Sequence, residues 1–287
     1  MKKIYLITII AIFLMSFTYD KPAYKLYTGK GKEIKYSEMI IDLAQTEFIF
    51  IGEIHNNPIS HWLELEITKN IYSIKKQNTI LGAEMFETDN QLIIDEYLTN
   101  VYSEKKFEKE IKLWQNYYTD YKPLLNFAKD SNINFIATNI PRRYASVVYN
   151  DGFKGLKKLT GKAQEYIAPL PIKFDKKLEC YKNMLNMGGL SAHSKKYLAQ
   201  SQAIKDATMA YFINKNREKG TVFIHYNGSY HSDNYQGIVW YLKKYNKKAK
   251  IKTITTVIQS DLSKLKKEYE KIADYIIVVD ENMTTTY

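Results

Sequence analysis

The chain has 287 residues, of which 45% are hydrophobic and 25% charged, and a formal net charge of +11. That balance excludes a disordered chain, and the length allows a substantial core. One cysteine, Cys180, excludes an intrachain disulfide and a cysteine-built zinc site. The positive charge lies in scattered pairs such as Lys75-Lys76 and Lys243-Lys244, which read as solvated surface and not as a nucleic-acid groove.

Lys2-Lys3 followed by the apolar stretch Ile4 to Phe17 reads as a signal peptide over residues 1–18, too short and wrongly flanked for a stable span. The expectation is export to the periplasm or a membrane-associated site, with an uncleaved N-terminal anchor as the runner-up. No cysteine follows the apolar stretch, so lipid anchoring is not supported. Residues 19–287 are expected to form one domain.

Residues 19–36 read as an extended lead-in or small hairpin, and Ser37 to Ala44 as a short helix with Ser37 as its cap. The apolar run Phe48 to Ile51 has no polar alternation, which predicts a strand covered on both faces. Gly52 ends it where a side chain would obstruct close approach, and Glu53 and His55 follow, two residues apart and facing the same way if the chain stays extended. Asn57 to Lys76 is a helix that Pro58 can start, and its buried face is expected to hold Ile59, Trp62, Leu63, Ile67, Ile71 and Ile74. His61 lies one position from that face, so it could border the cleft.

Thr79 to Phe86 is a second strand. Helices follow at Asp89 to Thr99, Ser103 to Leu113 and Tyr117 to Lys129, with Asp89 and Ser103 as N-caps and Pro123 near a helix start. Asn134 to Ile140 is a third strand, and Pro141-Arg142-Arg143 opens a helix. Residues 150–175 are broken by Gly and Pro. Lys176 to Met187 is helical and ends at Gly188-Gly189, and Ala192 to Lys219 is a long helix. Strands at Val222 to Asn227, Ile251 to Gln259 and Tyr275 to Val279 alternate with helices near 235–246 and 260–271. The alternation predicts an α/β fold: a three-layer α/β/α sandwich with a mostly parallel sheet and an additional helical subdomain from insertions near 89–130 and 150–219.

Each of the first four strands delivers polar residues at its C-terminal end, and in a parallel sheet these ends share one edge. They are Glu53 and His55; Glu84 and Glu87; Asn139, Arg142 and Arg143; and His225, Asn227 and His231. Glu53, His55, Glu84 and His231 offer two nitrogens and two oxygens to a divalent metal ion. The same four could act as acid and base. Glu84 could instead pair with an arginine, and His225 could be a hydrogen-bonded core residue. Arg142-Arg143 at a helix start suits an anion, or a buried pair with Glu84 or Glu87. His193 suits a surface or capping role, or a haem contact. No serine sits in a nucleophile elbow, Cys180 has no motif around it, and no Gly-rich phosphate loop is present.

An ordered set of motifs then points to a family: Gly52-Glu53-Ile54-His55, Gly82-Ala83-Glu84-Met85-Phe86-Glu87, Asn139-Ile140-Pro141-Arg142-Arg143, Ala199-Gln200 with Asp206-Ala207-Thr208-Met209-Ala210, and His225-Tyr226-Asn227-Gly228-Ser229-Tyr230-His231. The chain resembles the ChaN-like haem-binding uptake proteins, in the superfamily that holds Tiki-type and erythromycin-esterase-like proteins. The resemblance implies an exported, often lipid-anchored protein of haem or iron uptake, a homodimer with haem at its interface, and an outer-membrane transporter as partner. It implies a tyrosine on the iron and basic or imidazole groups on the propionates. Tyr144, Tyr181, Tyr226, Tyr230 and Tyr235 are the candidate tyrosines, with Arg142, Arg143 and His193 beside them. The alternative is a metal-dependent hydrolase using Glu53, His55, Glu84 and His231, since Tiki-like relatives place a metal at a Gly-x-x-His site.

Overall fold

Seven strands form one sheet in the order β1-β7-β6-β2-β5-β3-β4. They are β1 (Tyr24–Thr28), β2 (Phe48–Glu53), β3 (Thr79–Glu87), β4 (Phe135–Asn139), β5 (Val222–Gly228), β6 (Ile251–Gln259) and β7 (Tyr275–Asp280). β1 runs antiparallel to β7, and the other pairings are parallel. The computed structural model describes residues 21–186 and 192–287, with side-chain surroundings for 21–184 and 196–287. The expected signal peptide, Gly188-Gly189 and the side chain of His193 lie outside the described residues.

β2 is buried along its whole length. Ile49 and Ile51 enter the core built with the helix Pro58–Lys75, whereas Phe48 and Phe50 enter the core built with the helices Ala192–Lys215 and Gly237–Tyr245. Period-two alternation places successive side chains on opposite faces, so an unbroken apolar run serves both layers. The expected three-layer α/β arrangement is therefore present. The additional helices divide between the faces: Gln91–Leu98, Glu104–Glu110 and Lys122–Asp130 contribute to the first core, and Arg142–Asp151 forms a satellite cluster with Ile204.

Several local expectations give way to tertiary contacts. Residues 260–271 form only a 3-10 turn at Lys267–Tyr269. Leu262 and Leu265 drop into a small core with Tyr27 and Ile276. The Gln259 amide bonds the Lys264 carbonyl at 2.8 Å and the Lys266 N–H at 3.2 Å, satisfying a connector that has no helical ladder. The first short helix starts at Tyr36 without a side-chain cap from Ser37. Asp89 does not cap its helix, which begins at Gln91 after a 3-10 turn; Asp89 instead pairs with Arg143 at 2.6 Å.

The helix Pro58–Lys75 is rotated from its apolar stripe. Trp62 and Ile74 are 49% and 52% exposed. Leu63, Ile67 and Ile71 are buried as expected, but so are Ser60, His61, Glu64 and Thr68. This polar stripe can turn inward because it finds partners there: Ser60 Oγ meets Thr256 Oγ1 at 2.9 Å, and Thr68 Oγ1 meets the Tyr226 hydroxyl at 2.6 Å.

Candidate functional site

The C-terminal ends of the adjacent strands β2, β5, β3 and β4 form the floor of a cleft of about 900 Å³. Glu53 ends β2 and is the hub of the floor. Its Oε1 accepts from His55 Nδ1 and from the Tyr121 hydroxyl, each at 2.6 Å. Its Oε2 has no hydrogen-bond donor among the described residues and lies 3.5 Å from His61 Nδ1. Burial, with the neighbouring Glu64 carboxyl, pushes the Glu53 carboxyl up to about 8 against the pull of His55. Burial also pushes Glu64 up to about 8.

Two glycines let the strand ends close. A Cβ on Gly52 would stand 2.9 Å from Ser229 Cα, and one on Gly228 would stand 2.8 Å from the His55 ring. His55 therefore packs against the β5 end, with its side chain 40% exposed to the cleft and its ring edge-on to Trp114 at 5.1 Å. Burial lowers the His55 pKa, but the Glu53 hydrogen bond and charge raise it further, so the net shift is upward.

Glu84 sits where the β3–β4 register slips, between Ala83 and Glu87. Such a bulge re-aims a side chain, and here Glu84 Oε2 accepts the Gly228 N–H at 2.9 Å. Its Oε1 meets His231 Nε2 at 3.1 Å, while His231 Nδ1 meets Asp206 Oδ1 at 2.5 Å. Burial opposes ionisation of both groups. The His231 charge overcomes it and holds Glu84 at about 2; the charges of Glu84 and Asp206 overcome it and raise His231 to about 10. His231 is thus an imidazolium held between two carboxylates.

The structure sorts the sequence-derived candidates accordingly. Glu84 and His231 are in direct contact, Glu53 and His55 form a second pair, and His55 and Glu84 both lie beside Gly228. Glu53 and His55 do not join His231 in one ligand set; Glu53 faces His61 and Glu64. Arg142 lines the cleft, whereas Arg143 turns to Asp89 and lies over the Tyr144 ring, so neither arginine pairs with Glu84 or Glu87. His225 is a buried core residue bonded to Thr138 and Asn227, pushed down to about 4 by burial.

Among the candidate tyrosines, Tyr181 and Tyr226 are fully buried, with hydroxyls committed to Asp206 and Thr68. Burial drives both phenols far upward. Tyr144 packs on the satellite cluster of Ile140 and Leu156. Tyr235 is exposed but does not line the cleft. Tyr230 does line it, is 41% exposed, and donates its hydroxyl to the Cys180 carbonyl. Burial pushes this phenol up to about 12.

Three residues of the floor escaped the sequence reading, Glu64, Asp120 and Tyr121, whereas His61 was expected to border the cleft and is buried beside Glu53. Their signal is the polar stripe Ser60-Glu64-Thr68 within the helix, and the π turn Tyr117–Tyr121 that points Asp120 and Tyr121 inward. Asp206 was visible only as part of a motif, without a partner.

Comparison with known proteins follows from this geometry. A family model described as haem-binding uptake, Tiki superfamily, ChaN matches residues 39–242. A solved structure of ChaN from Campylobacter jejuni, with cofacial haem binding, aligns at a TM-score of 0.68 and 18% identity, covering 89% of this chain and 96% of that one. A Bacillus cereus protein aligns at a TM-score of 0.51 and 10% identity, covering 85% and 90%. At these identities the likeness is one of fold. Protein RETICULATA-RELATED 5, chloroplastic, from Arabidopsis thaliana is 24% identical over 198 residues, 64% of this chain, and the match spans only 26% of that protein. With the family model matching well over half of its length and the same α/β fold in place, the chain belongs to the ChaN family of haem-binding uptake proteins in the Tiki superfamily.

Proposed function

We propose that this protein binds haem in the cleft above β2, β5, β3 and β4, with Tyr230 facing the iron. The observation that carries the reading is the lining of the cleft. Met85, Leu113, Trp114 and Ile140 give apolar wall for a porphyrin, and Arg142, Lys112 and Lys205 give cations for propionates. A cleft of about 900 Å³ is within the range of small-molecule and cofactor sites. Among the five tyrosines weighed from sequence, Tyr230 alone lines this cleft. When bound, ferric haem supplies an iron centre that accepts an anionic oxygen donor. The chain's own part is to present the Tyr230 phenol, to cover the porphyrin faces and to neutralise the propionates.

Export, a place in haem or iron uptake, an outer-membrane transporter as partner and a homodimer belong to the same reading. Export is supported by Lys2-Lys3 and the apolar Ile4 to Phe17. Assembly is supported by the mouth of the cleft, where Tyr230 and Arg142 remain exposed and could meet a second copy.

Titration of the purified protein with hemin, run in parallel with size-exclusion chromatography, tests the reading. A saturable tyrosinate-type spectrum is expected, lost in Tyr230→Phe, with a shift to dimer on loading. No saturable change in the wild-type protein would overturn haem binding, and an unaltered spectrum in Tyr230→Phe would remove Tyr230 from the iron.

A further inference from the structure

Beneath the cleft floor, three carboxyl groups and one imidazole gather without a lysine or arginine. Glu53, Glu64 and Asp120 are all buried, and among the described residues their only ionic neighbours are histidines. Such an accumulation of buried negative charge requires a compensating charge or neutralisation by protons.

The His61 ring defines what the cluster offers. Its Nε2 lies 3.1 Å from the His55 main-chain carbonyl, which can only accept, so Nε2 carries the proton. Asp120 Oδ2, 3.5 Å from the same nitrogen, reinforces that choice. Nδ1 then faces Glu64 Oε2 at 3.0 Å and Glu53 Oε2 at 3.5 Å. In that tautomer Nδ1 presents its lone pair to the carboxyl groups of Glu53 and Glu64. This is the tautomer-fixing arrangement in which a ligating histidine donates its other N–H to a carbonyl or carboxylate. A second observation is independent of the clustering: Glu53 Oε2 and Glu64 Oε1 are buried and find no hydrogen-bond donor among the described residues.

We propose that Glu53, His61 and Glu64 form a buried site for one divalent first-row transition-metal cation, with Asp120 and the His55 carbonyl orienting the imidazole. One ligand atom from each of the three residues already lies within 4.8 Å of the others. Ligands about 2.1 Å from a metal stand at most about 4.2 Å apart, so closure takes side-chain shifts below about 1 Å. One nitrogen and two carboxylates suit zinc, manganese or iron(II). Glu53 and Asn116 border both the cluster and the cleft, which marks the route of entry. The bound cation would pin the helix Pro58–Lys75 to the end of β2 and so set the floor beneath His55. The site is independent of haem binding, and it is made of different residues from the Glu84–His231–Asp206 network, where both ring nitrogens face carboxylates.

The test uses the full chain, stripped with a chelator and titrated with Zn²⁺, Mn²⁺ and Co²⁺ in the absence of hemin. One equivalent of tightly bound metal is expected, with visible Co²⁺ bands. Glu64→Gln keeps the side-chain volume and should weaken binding tenfold or more, with the circular dichroism spectrum of the metal-free protein unchanged. Glu84→Gln should leave metal affinity within twofold. His61→Ala serves as a second ligand variant if it folds. A wild-type protein that binds no stoichiometric metal, with Glu53 and Glu64 sharing a proton instead, overturns the proposal. So does metal binding that survives Glu64→Gln, or that is lost in Glu84→Gln.

Discussion

Asp206, on the helix Ala192–Lys215, holds His231 Nδ1 at 2.5 Å. Glu84 takes the other ring nitrogen at 3.1 Å, so one imidazolium joins β3, the β5 end and the long helix. β3 is more than 100 residues from the other two in sequence, and this charge network ties it to them under the cleft. Removing the cation leaves two buried carboxylates unpaired, which costs about 3–5 kcal/mol in comparable networks.

The stability difference between the wild-type protein and His231→Gln should therefore depend on pH. His231 is raised from 6.5 to about 10 in the folded state. Its contribution is fully present below pH 6.5 and is lost as pH rises through about 10. Glu84 is lowered from 4.5 to about 2, so its contribution is present above pH 4.5 and is lost as pH falls through about 2. The largest difference is expected between pH 4.5 and 6.5, shrinking on either side. Urea midpoints of the two proteins across pH 4 to 10 check this, and a difference that stays flat up to pH 10 would falsify the imidazolium.

Tyr181 and Tyr230 separate structure from ligand binding. Tyr181→Phe removes a buried hydroxyl bonded to Asp206 at 2.7 Å and should destabilise by about 1–2 kcal/mol, with hemin affinity and spectrum kept. Tyr230→Phe should do the reverse: little change in the thermal midpoint, and loss of the tyrosinate-type spectrum. Paired melting curves and hemin titrations read both effects.

Gly52→Ala should destabilise by about 1–3 kcal/mol through overpacking. The added methyl would stand 2.9 Å from Ser229 Cα and 3.1 Å from the Ile254 carbonyl, both backbone atoms with little room to retreat. Equilibrium urea unfolding measures the cost, and a neutral result would show that the β2 and β5 ends separate more easily than this packing implies.

Gln259→Ala should loosen the connector that replaces the expected helix. Its amide is the partner of the Lys264 carbonyl and the Lys266 N–H, and leaving such groups unpaired costs about 1–3 kcal/mol. Amide exchange in residues 261–266 should accelerate more than exchange in β6 and β7.

Much of the fold was legible. The apolar run Phe48 to Ile51 serves both layers as expected, and Pro58 begins its helix with the Asn57 side chain capping it through the Ser60 N–H at 3.0 Å. The misread helix near 260–271 has a physical cause: Leu262 and Leu265 gain burial in an extended segment because one glutamine satisfies its backbone. Trp62 was assigned to the wrong face because spacing rules assume that buried helix faces are apolar, whereas this one buries Ser60, His61, Glu64 and Thr68.

By itself, the sequence determined the α/β alternation, the six strands from β2 to β7 and the motifs that mark the family, because these rest on local periodicity and on residue order. Tertiary structure alone decided the partners. Asp206 meets His231, Tyr121 meets Glu53, and His61 turns in to face two carboxylates. Such pairings depend on how far a helix rotates over the sheet and where a bulge aims a side chain, and those are set by burial and hydrogen bonding between residues distant in the chain.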